Sequence, residues 1–423
     1  MPTIARDLGE SGYSSVGVIG LGATGLSLAL AFAQAGLRTV GLDVDEARVS
    51  ALREVHSDNG AGSAVELTSD SRRLRGLDAY VLCVPMRVYT DGWADLRHVK
   101  SATDIVGAVL GSGAVVVLGS IVPPGTTAAL ATTLAKRSGL VVGHDFHLAV
   151  APERIDPASV GGGAGTIGDA PTIVGGMTDA CTARAAELMG LVAPAVVRVS
   201  RPEAAELAKL FENTSRLVNI ALTYELADLC RHLALSPREV IDAAGAEPDG
   251  FLPHYPGPGV GGERIPVDPL VLTVTAARFG RSMRLVETAY GQVLARPTQV
   301  VDTLADVLRQ ADSALEGSRV LVVGVAYEPG VADTRNAPAL DIIRRLRQRS
   351  AKPSYVDPLV AELVVDGQPV ERAEWVPDDV AAHDCVVLVT PHEQFLSRPL
   401  WHCAPIVLDT SHLLPADDRV HHL

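Results

Sequence analysis

The chain has 423 residues, 47% hydrophobic and 20% charged, with a formal net charge of −14. That length exceeds what one hydrophobic core supports, so two or three domains are expected. The acidic balance leaves no basic stripe for a nucleic-acid backbone, and no run of ~18 apolar residues marks a membrane span.

The first residues, Met1 to Ser14, carry Arg6, Asp7 and Glu10 and no apolar stretch, and do not read as a secretory signal. Val16 to Ile19 is a short apolar run, followed by a Gly-rich turn and an Ala/Leu-rich helical stretch ending at Gly36. Arg38–Leu42, Tyr80–Val84 and Ala114–Leu118 are further strand candidates. This alternation predicts a parallel sheet wound with helices on both faces, continuing to about Val199. Ser200 with Glu203 then makes a capping box, Pro202 sits in the first turn, and no Pro or Gly follows until Pro237. One long helix is expected there. Ser236, Pro237 and Glu239 repeat the start signal for a shorter helix ending near Gly245. A loop dense in Pro and Gly spans Glu247 to Pro269, and a helical stretch from Leu270 to about Leu315 is expected to break at Gly280 and at Pro297. Apolar residues on more than one face of this middle segment predict burial against a second copy, a homodimer. From Arg319 the βα pattern returns, with VLVVG, PSYVD, CVVLVT and APIVLDT as strands and Ala339–Ser350 as a basic amphipathic helix. The expected fold is α/β: two doubly wound Rossmann-like domains, residues 1–200 and 316–423, joined by a central all-helical domain over residues 201–315.

Cys83, Cys181, Cys230, Cys385 and Cys403 lack CxxC spacing. They read as reduced core thiols of a cytoplasmic protein, and no metal site is expected.

GLGATG follows the first strand and opens a helix. Gly20 permits the tight turn, Gly22 lets the backbone approach a pyrophosphate, and Gly25 lets helix and strand pack closely. Ala23 and Thr24 lie in the same turn, at a helix N-terminus that favours phosphate. Asp43 ends the next strand, where a carboxylate bonds ribose hydroxyls and repels a 2′-phosphate. The expected cofactor is NAD, with Arg48 nearby as the one feature that would suit NADP.

Six segments carry more. They are CVP (Cys83, Val84, Pro85), GSIVPPGTT (Gly119 to Thr127, with Ser120), APERIDP (Ala151 to Pro157, with Glu153), KLFENTSRLVNIA (from Lys209), YPGPGVGGERIPVDP (Tyr255 to Pro269) and VAYEPGVADTRNAPAL (Val325 to Leu340). Lys209 and Asn213 are four residues apart and project from one helical face. Together these segments closely resemble those of the UDP-glucose/GDP-mannose dehydrogenase family, the nucleotide-sugar dehydrogenases, across nearly the whole chain. The resemblance implies an NAD-dependent dehydrogenase. It places Cys83, Val84, Pro85, Ser120, Glu153 and Arg335 toward the cofactor. It places Lys209, Asn213, Asp268 and Glu153 in the chemistry, and Phe251, Tyr255, Gly257, Gly259, Gly261, Arg264, Tyr327 and Glu328 toward the substrate.

That family oxidises an alcohol twice through a thiol-bound intermediate, using a cysteine four residues before the Asp matched by Asp268. Here the position holds Arg264, and a guanidinium is neither nucleophile nor base. Its natural use is bidentate pairing with a carboxylate. A second departure is Glu328, where the family has a lysine that helps hold a diphosphate; a carboxylate there is electrostatically unfavourable. The expectation is one two-electron oxidation of a secondary alcohol, most simply at C4, of a hexuronate attached to a nucleoside base or nucleotide. Base-linked glucuronates of nucleoside antibiotic pathways are an example. Lys209 is the leading general base, with Asp268 and Glu153 as competitors. The alternatives are a UDP-sugar 6-dehydrogenase with cysteine-free chemistry and a non-catalytic relative that holds NAD and a ligand.

Overall fold

The structure, a computed structural model, describes residues 12–57, 65–89, 92–153, 170–247, 250–415 and 417–423. Residues 1–11 of the amino-terminal stretch and 154–157 of the APERIDP segment therefore lie outside the described residues. Contacts group the chain into two compact units, 1–211 and 212–423.

The first unit runs β1 (Ser15–Ile19), α1 (Ala23–Gln34), β2 (Arg38–Leu42), α2 (Glu46–Ser57), β3 (Val65–Thr68) and β4 (Ala79–Leu82). A small hairpin, β5 (Arg87–Val88) and β6 (Ala94–Asp95), leads to α3 (Arg97–Val109), β7 (Val115–Leu118), α4 (Thr126–Ser138), β8 (His147–Val150), β9 (Thr172–Gly176), α5 (Asp179–Gly190) and β10 (Val196–Val199). The strands form one sheet in the order β10-β9-β8-β7-β4-β1-β2-β3. Every pair is parallel except β8 with β9. Its central strands β4 and β7 are apolar throughout because both faces are covered. Val115 and Val117 of β7 join a core beneath α1 and α5 with Leu28, Phe32 and Leu188. The alternate residues Val116 and Leu118 join the opposite core with Val99, Val106, Leu130 and Leu134 of α3 and α4. The loops after β1 and β4, adjacent strands, carry Gly20 and Cys83.

The long helix α6 (Pro202–Leu233) begins in the first unit and ends in the second, followed by α7 (Pro237–Ala244), α8 (Asp268–Arg278) and α9 (Arg284–Gln310). Then come β11 (Arg319–Val323), α10 (Pro338–Gln348), β12 (Lys352–Val356), the hairpin β13 (Val364–Val365) and β14 (Gln368–Pro369), and β15 (Glu371–Arg372). The chain closes with α11 (Pro377–Ala381), β16 (Cys385–Leu388), α12 (Glu393–Ser397), β17 (Val407–Asp409) and β18 (Val420–His422). The second sheet, β15-β12-β11-β16-β17-β18, is parallel at every pairing. One face packs on Val300, Leu304 and Leu308 of α9 and Ile342 and Leu346 of α10; Phe395, Leu400 and Trp401 cover the other. The chain thus has the expected architecture of two doubly wound sheets with helices intervening in sequence.

Two expectations need correction. Pro297 does not break α9, which runs through it. The lost ladder bond and ring clash cost about 3 kcal/mol in a helix interior, but Val293, Val300, Val301 and Leu304 on either side are buried and hold the helix to its core. The strand expected over Tyr80–Val84 ends at Leu82, releasing Cys83 and Val84 into a loop. The antiparallel strand β9 and the terminal β18 had no distinct signal.

Candidate active site

The glycine turn after β1 has the space its sequence predicts. A Cβ on Gly25 would sit 1.8 Å from the Gly20 carbonyl oxygen, so only glycine lets α1 pack there. A Cβ on Gly22 would meet nothing within 4 Å. That open space lies at the N-terminus of α1, where Gly22 is the cap and no side chain caps the first amides. The turn therefore fits a pyrophosphate, with Ala23 and Thr24 opening the helix. Asp43 Oδ2 accepts from Leu21 N at 2.8 Å and Oδ1 from Asp45 N at 3.1 Å, which fixes the carboxylate beside the turn. Arg48 Nε donates to the Leu21 carbonyl at 2.8 Å and lies 4.0 Å from Asp43. It is thus committed to the same turn. Thr24 donates its hydroxyl to Glu153 Oε2 at 2.5 Å, joining the glycine turn to the loop after β8.

Ser120 donates to the Val84 carbonyl at 2.7 Å, so the loops after β4 and β7 are tied together. Burial, with the Glu153 charge beside it, pushes the Cys83 thiol well above its ordinary range. The Cys83 sulfur packs instead: a Cβ on Gly119 would come within 3.1 Å of it. Pro85 continues the same loop, short of β5.

Lys209 and Asn213, which share one face of α6 by their i, i+4 spacing, are both buried. Sequence reasoning missed another buried polar residue of that helix, Glu206. Its Oε1 accepts from Thr127 N at 2.8 Å and Thr127 Oγ1 at 2.6 Å, and its Oε2 from Gly125 N at 2.6 Å. It caps α4, whose start lies in the GSIVPPGTT segment and whose Gly125 has φ +92° and caps nothing by side chain. Burial raises the Glu206 carboxyl above the usual carboxylate range, partly opposed by those hydrogen bonds. The usable signal was a carboxylate three residues before Lys209 on one helical face.

In the second unit Asn213 Nδ2 donates to Asp268 Oδ2 at 2.5 Å, both side chains buried. Asp268 opens α8, where a carboxylate is favoured by the helix dipole. The Arg264 carbonyl accepts from Asp268 N at 2.8 Å and Val267 N at 3.0 Å, so residue 264 closes the turn before the helix. Its side chain is half-buried. Gly261 and Gly262 lie against Tyr327: a Cβ on Gly261 would stand 2.5 Å from Tyr327 Cβ, and one on Gly262 3.1 Å from its ring. Burial and the charges of Glu328 and Asp333 raise the Tyr327 phenol, while Arg264 and Arg335 pull the other way. Arg264, Tyr327, Glu328 and Arg335 are thus brought together. Arg335 is held by Asp333, with Nε–Oδ2 at 2.9 Å, and by Glu263. Tyr255 donates its hydroxyl to Asp242 at 2.6 Å beneath the Arg238 guanidinium, which stacks 4.2 Å from the ring centre. It acts in anchoring the loop. Phe251 is exposed. No His/Cys/Asp/Glu group suited to a metal occurs among the described residues, and no described helix is long and apolar enough to cross a membrane.

Sequence models of the UDP-glucose/GDP-mannose dehydrogenase family match in three pieces: the NAD binding domain at residues 14–190, the central domain at 203–291 and the UDP binding domain at 321–416. The UDP-N-acetyl-D-mannosamine dehydrogenase of Escherichia coli (strain K12) is 31% identical over 404 residues, 90% of this chain and 94% of that protein. The UDP-N-acetyl-D-glucosamine 6-dehydrogenase of Salmonella typhi is 30% identical over 95% of this chain and 97% of its own length. The solved UDP-D-ManNAc dehydrogenase of Pyrococcus horikoshii superposes with a TM-score of 0.85 at 28% identity, covering 96% of this chain and 98% of that one. The chain belongs to the UDP-glucose/GDP-mannose dehydrogenase family and is an NAD-dependent oxidoreductase acting on CH–OH groups.

Proposed function

We propose that the protein carries out a single two-electron oxidation of a secondary alcohol, at C4, of a hexuronate attached to a nucleoside base or nucleotide. The observation that carries this reading is Arg264, a guanidinium in the loop that the resemblance identifies with the family's thiol-bearing segment, half-buried beside Tyr327. Without a sulfur nucleophile there, no thioester forms and a second oxidation has no covalent route. A fixed cation there pairs with a carboxylate already present on the sugar.

NAD, when bound at the glycine turn, supplies the hydride acceptor. Lys209 takes the hydroxyl proton, leaving a ketone. Asn213 is held by Asp268 and orients the reacting oxygen, and Arg264 anchors the carboxylate. Thr24 and Glu153 brace the cofactor turn. Backbone amides of Gly257, Gly259 and Gly261 approach the sugar, and side chains at 259 and 261 would press on Pro338 and Tyr327.

The relatives' names, UDP-N-acetyl-D-mannosamine dehydrogenase and UDP-N-acetyl-D-glucosamine 6-dehydrogenase, favour a second reading, oxidation of a neutral UDP-sugar at C6; with Arg264 in place of the thiol it would proceed by cysteine-free chemistry and stop at the aldehyde. Glu328, negative beside Tyr327 where a diphosphate would be held, weighs against it. The test is an NADH and thermal-shift screen across UDP-glucose, UDP-glucuronate and base-linked glucuronates, counting NADH per product. One NADH with a uronate and none with UDP-glucose supports the proposal. NADH from UDP-glucose removes it: two with a new acid mean the ordinary family route, one with an aldehyde the second reading.

We further infer a homodimer, the three-domain division 1–200, 201–315 and 316–423, and a cytoplasmic location. Phe211, Leu222, Leu229 and Leu233, spaced 11, 7 and 4 along α6, are exposed apolar residues on one helical stripe, which supports dimerisation. Leu222→Glu combined with Leu229→Glu should yield monomers by sedimentation; an unchanged mass would exclude this face.

A further inference from the structure

We propose that Arg296 is a positioning residue: its buried guanidinium holds the Gly-rich loop 257–262 in the conformation that reads the substrate. The inference deepens the proposed function and rests on it only for the identity of the ligand.

Arg296 is the largest completely buried side chain among the described residues. Burial lowers its pKa, and its nearest carboxylate, Asp228, is half-exposed and 3.8 Å away. A helix needing only volume at this place would be served by an aliphatic side chain without the cost of desolvating a charge. What the guanidinium adds is direction. Nε donates to the Gly257 carbonyl at 3.0 Å, Nη1 donates to Gln299 Oε1 at 3.1 Å, and Cζ lies over the Tyr224 ring, 4.6 Å from its centre. Two helices, α6 through Tyr224 and α9 through Gln299, therefore orient one donor toward the loop.

The next residue of α9 meets the next glycine of the loop. A Cβ on Gly259 would lie 3.8 Å from Pro297 Cγ and 3.1 Å from Pro338 Cγ, and Gly259 has φ +140°. Arg296 and Pro297 thus address Gly257 and Gly259 in turn. The far end is fixed separately: Gly262 N donates to the Arg335 carbonyl at 2.9 Å, and Asn336 Nδ2 donates to the Gly262 carbonyl at 2.9 Å. Arg264 follows two residues later. Four of the six residues from 257 to 262 are glycine. They bring no side-chain contacts and the largest loss of backbone freedom on ordering, so the anchors at the two ends decide how well the loop, and Arg264 after it, is held.

The experiment compares Arg296→Met, which keeps volume and removes every donor, with Arg296→Lys, which restores a cation and a donor. Amide hydrogen exchange is read at residues 257–262, together with NAD affinity and KM for UDP-glucuronate. In the Met variant these loop amides should exchange about tenfold faster or more, KM should rise about tenfold, and NAD affinity should stay unchanged. The Lys variant should recover most of the protection. Loop exchange unchanged in the Met variant would overturn the proposal, as would a Lys variant as loose as Met, which would make the position one of packing alone. If UDP-glucuronate is not turned over, the exchange comparison alone decides, so failure of the substrate assignment stays distinct from failure of the latch.

Discussion

Asn213 Nδ2 lies 2.5 Å from Asp268 Oδ2, linking the long helix α6 to the first residue of α8, with both side chains buried. An amide that spends its donor on a carboxylate presents its oxygen in one fixed direction. Asp268→Asn would remove the charged acceptor and free the Asn213 amide to turn. A hydrogen bond to a charged group contributes about 1.5–3 kcal/mol, so a loss of roughly 10- to 100-fold in kcat/KM is expected, with NAD affinity unchanged. Steady-state kinetics beside NAD titration check this. Equal loss of both would mean that the variant has damaged the fold instead.

Arg264 is the position where charge and substrate choice meet. Arg264→Ala should raise KM for a uronate substrate by about 10- to 100-fold, the value of a charge-assisted pair, and leave a neutral sugar analogue unaffected. Arg264→Lys should recover only part of the effect, since an ammonium lacks the planar two-donor fork. Identical effects on the acid and the neutral analogue would remove the carboxylate from the argument.

The glycines at 22 and 25 separate cofactor binding from folding. Gly25→Ala places a methyl 1.8 Å from the Gly20 carbonyl, so backbone must move, and overpacking of this kind costs about 1–3 kcal/mol. Gly22→Ala meets no protein atom within 4 Å. It should fold with its Tm intact yet weaken NAD by about tenfold or more, because its methyl occupies the space assigned to the pyrophosphate. Thermal unfolding with and without NAD distinguishes the two. A Gly22→Ala protein with undiminished NAD affinity would show that the phosphates lie elsewhere.

Much of this was legible from short-range rules. The glycine turn, the start of α7 at Ser236 with its hydroxyl accepting from Glu239 N at 3.4 Å, and the pairing of Lys209 with Asn213 on one helix all follow from spacing. What escaped was non-local. Nothing near Pro297 announces that burial of Val293 and Val300 will carry α9 through it. Glu206 gains its meaning from amides at Gly125 and Thr127, some eighty residues earlier. Tyr255 and Arg335 read as ligand-facing from their motifs, but Asp242, Asp333 and Glu263 engage them first. Motif similarity gives a position, and the partners that consume its hydrogen bonds come from the fold.

Asp357, at the end of β12, supports the loop that carries Tyr327 and Glu328. Its Oδ2 accepts from Val325 N at 2.7 Å and Ala326 N at 3.1 Å, and its Oδ1 from Leu359 N and Val360 N at 2.8 and 3.1 Å. His392 completes the set: its Nδ1 accepts from Gly330 N at 3.2 Å, which puts the ring proton on Nε2, 3.1 Å from Asp357 Oδ2. Burial alone would raise this carboxyl, but the His392 and backbone donors outweigh it and hold it at about 2, against an ordinary 3.8. The native state therefore binds the proton less readily than the unfolded chain. The resulting stabilisation is fully present above pH 3.8 and is lost as pH falls through about 2. The difference corresponds to about 2 kcal/mol. Asp357→Asn should lower stability at pH 7, and the gap to the wild type should narrow by about 2 kcal/mol between pH 5 and pH 2 in urea unfolding. The same variant should slacken the 325–330 loop and raise KM for the sugar without changing NAD affinity. A gap that stays constant with pH would mean that Asp357 holds the loop as a neutral acid.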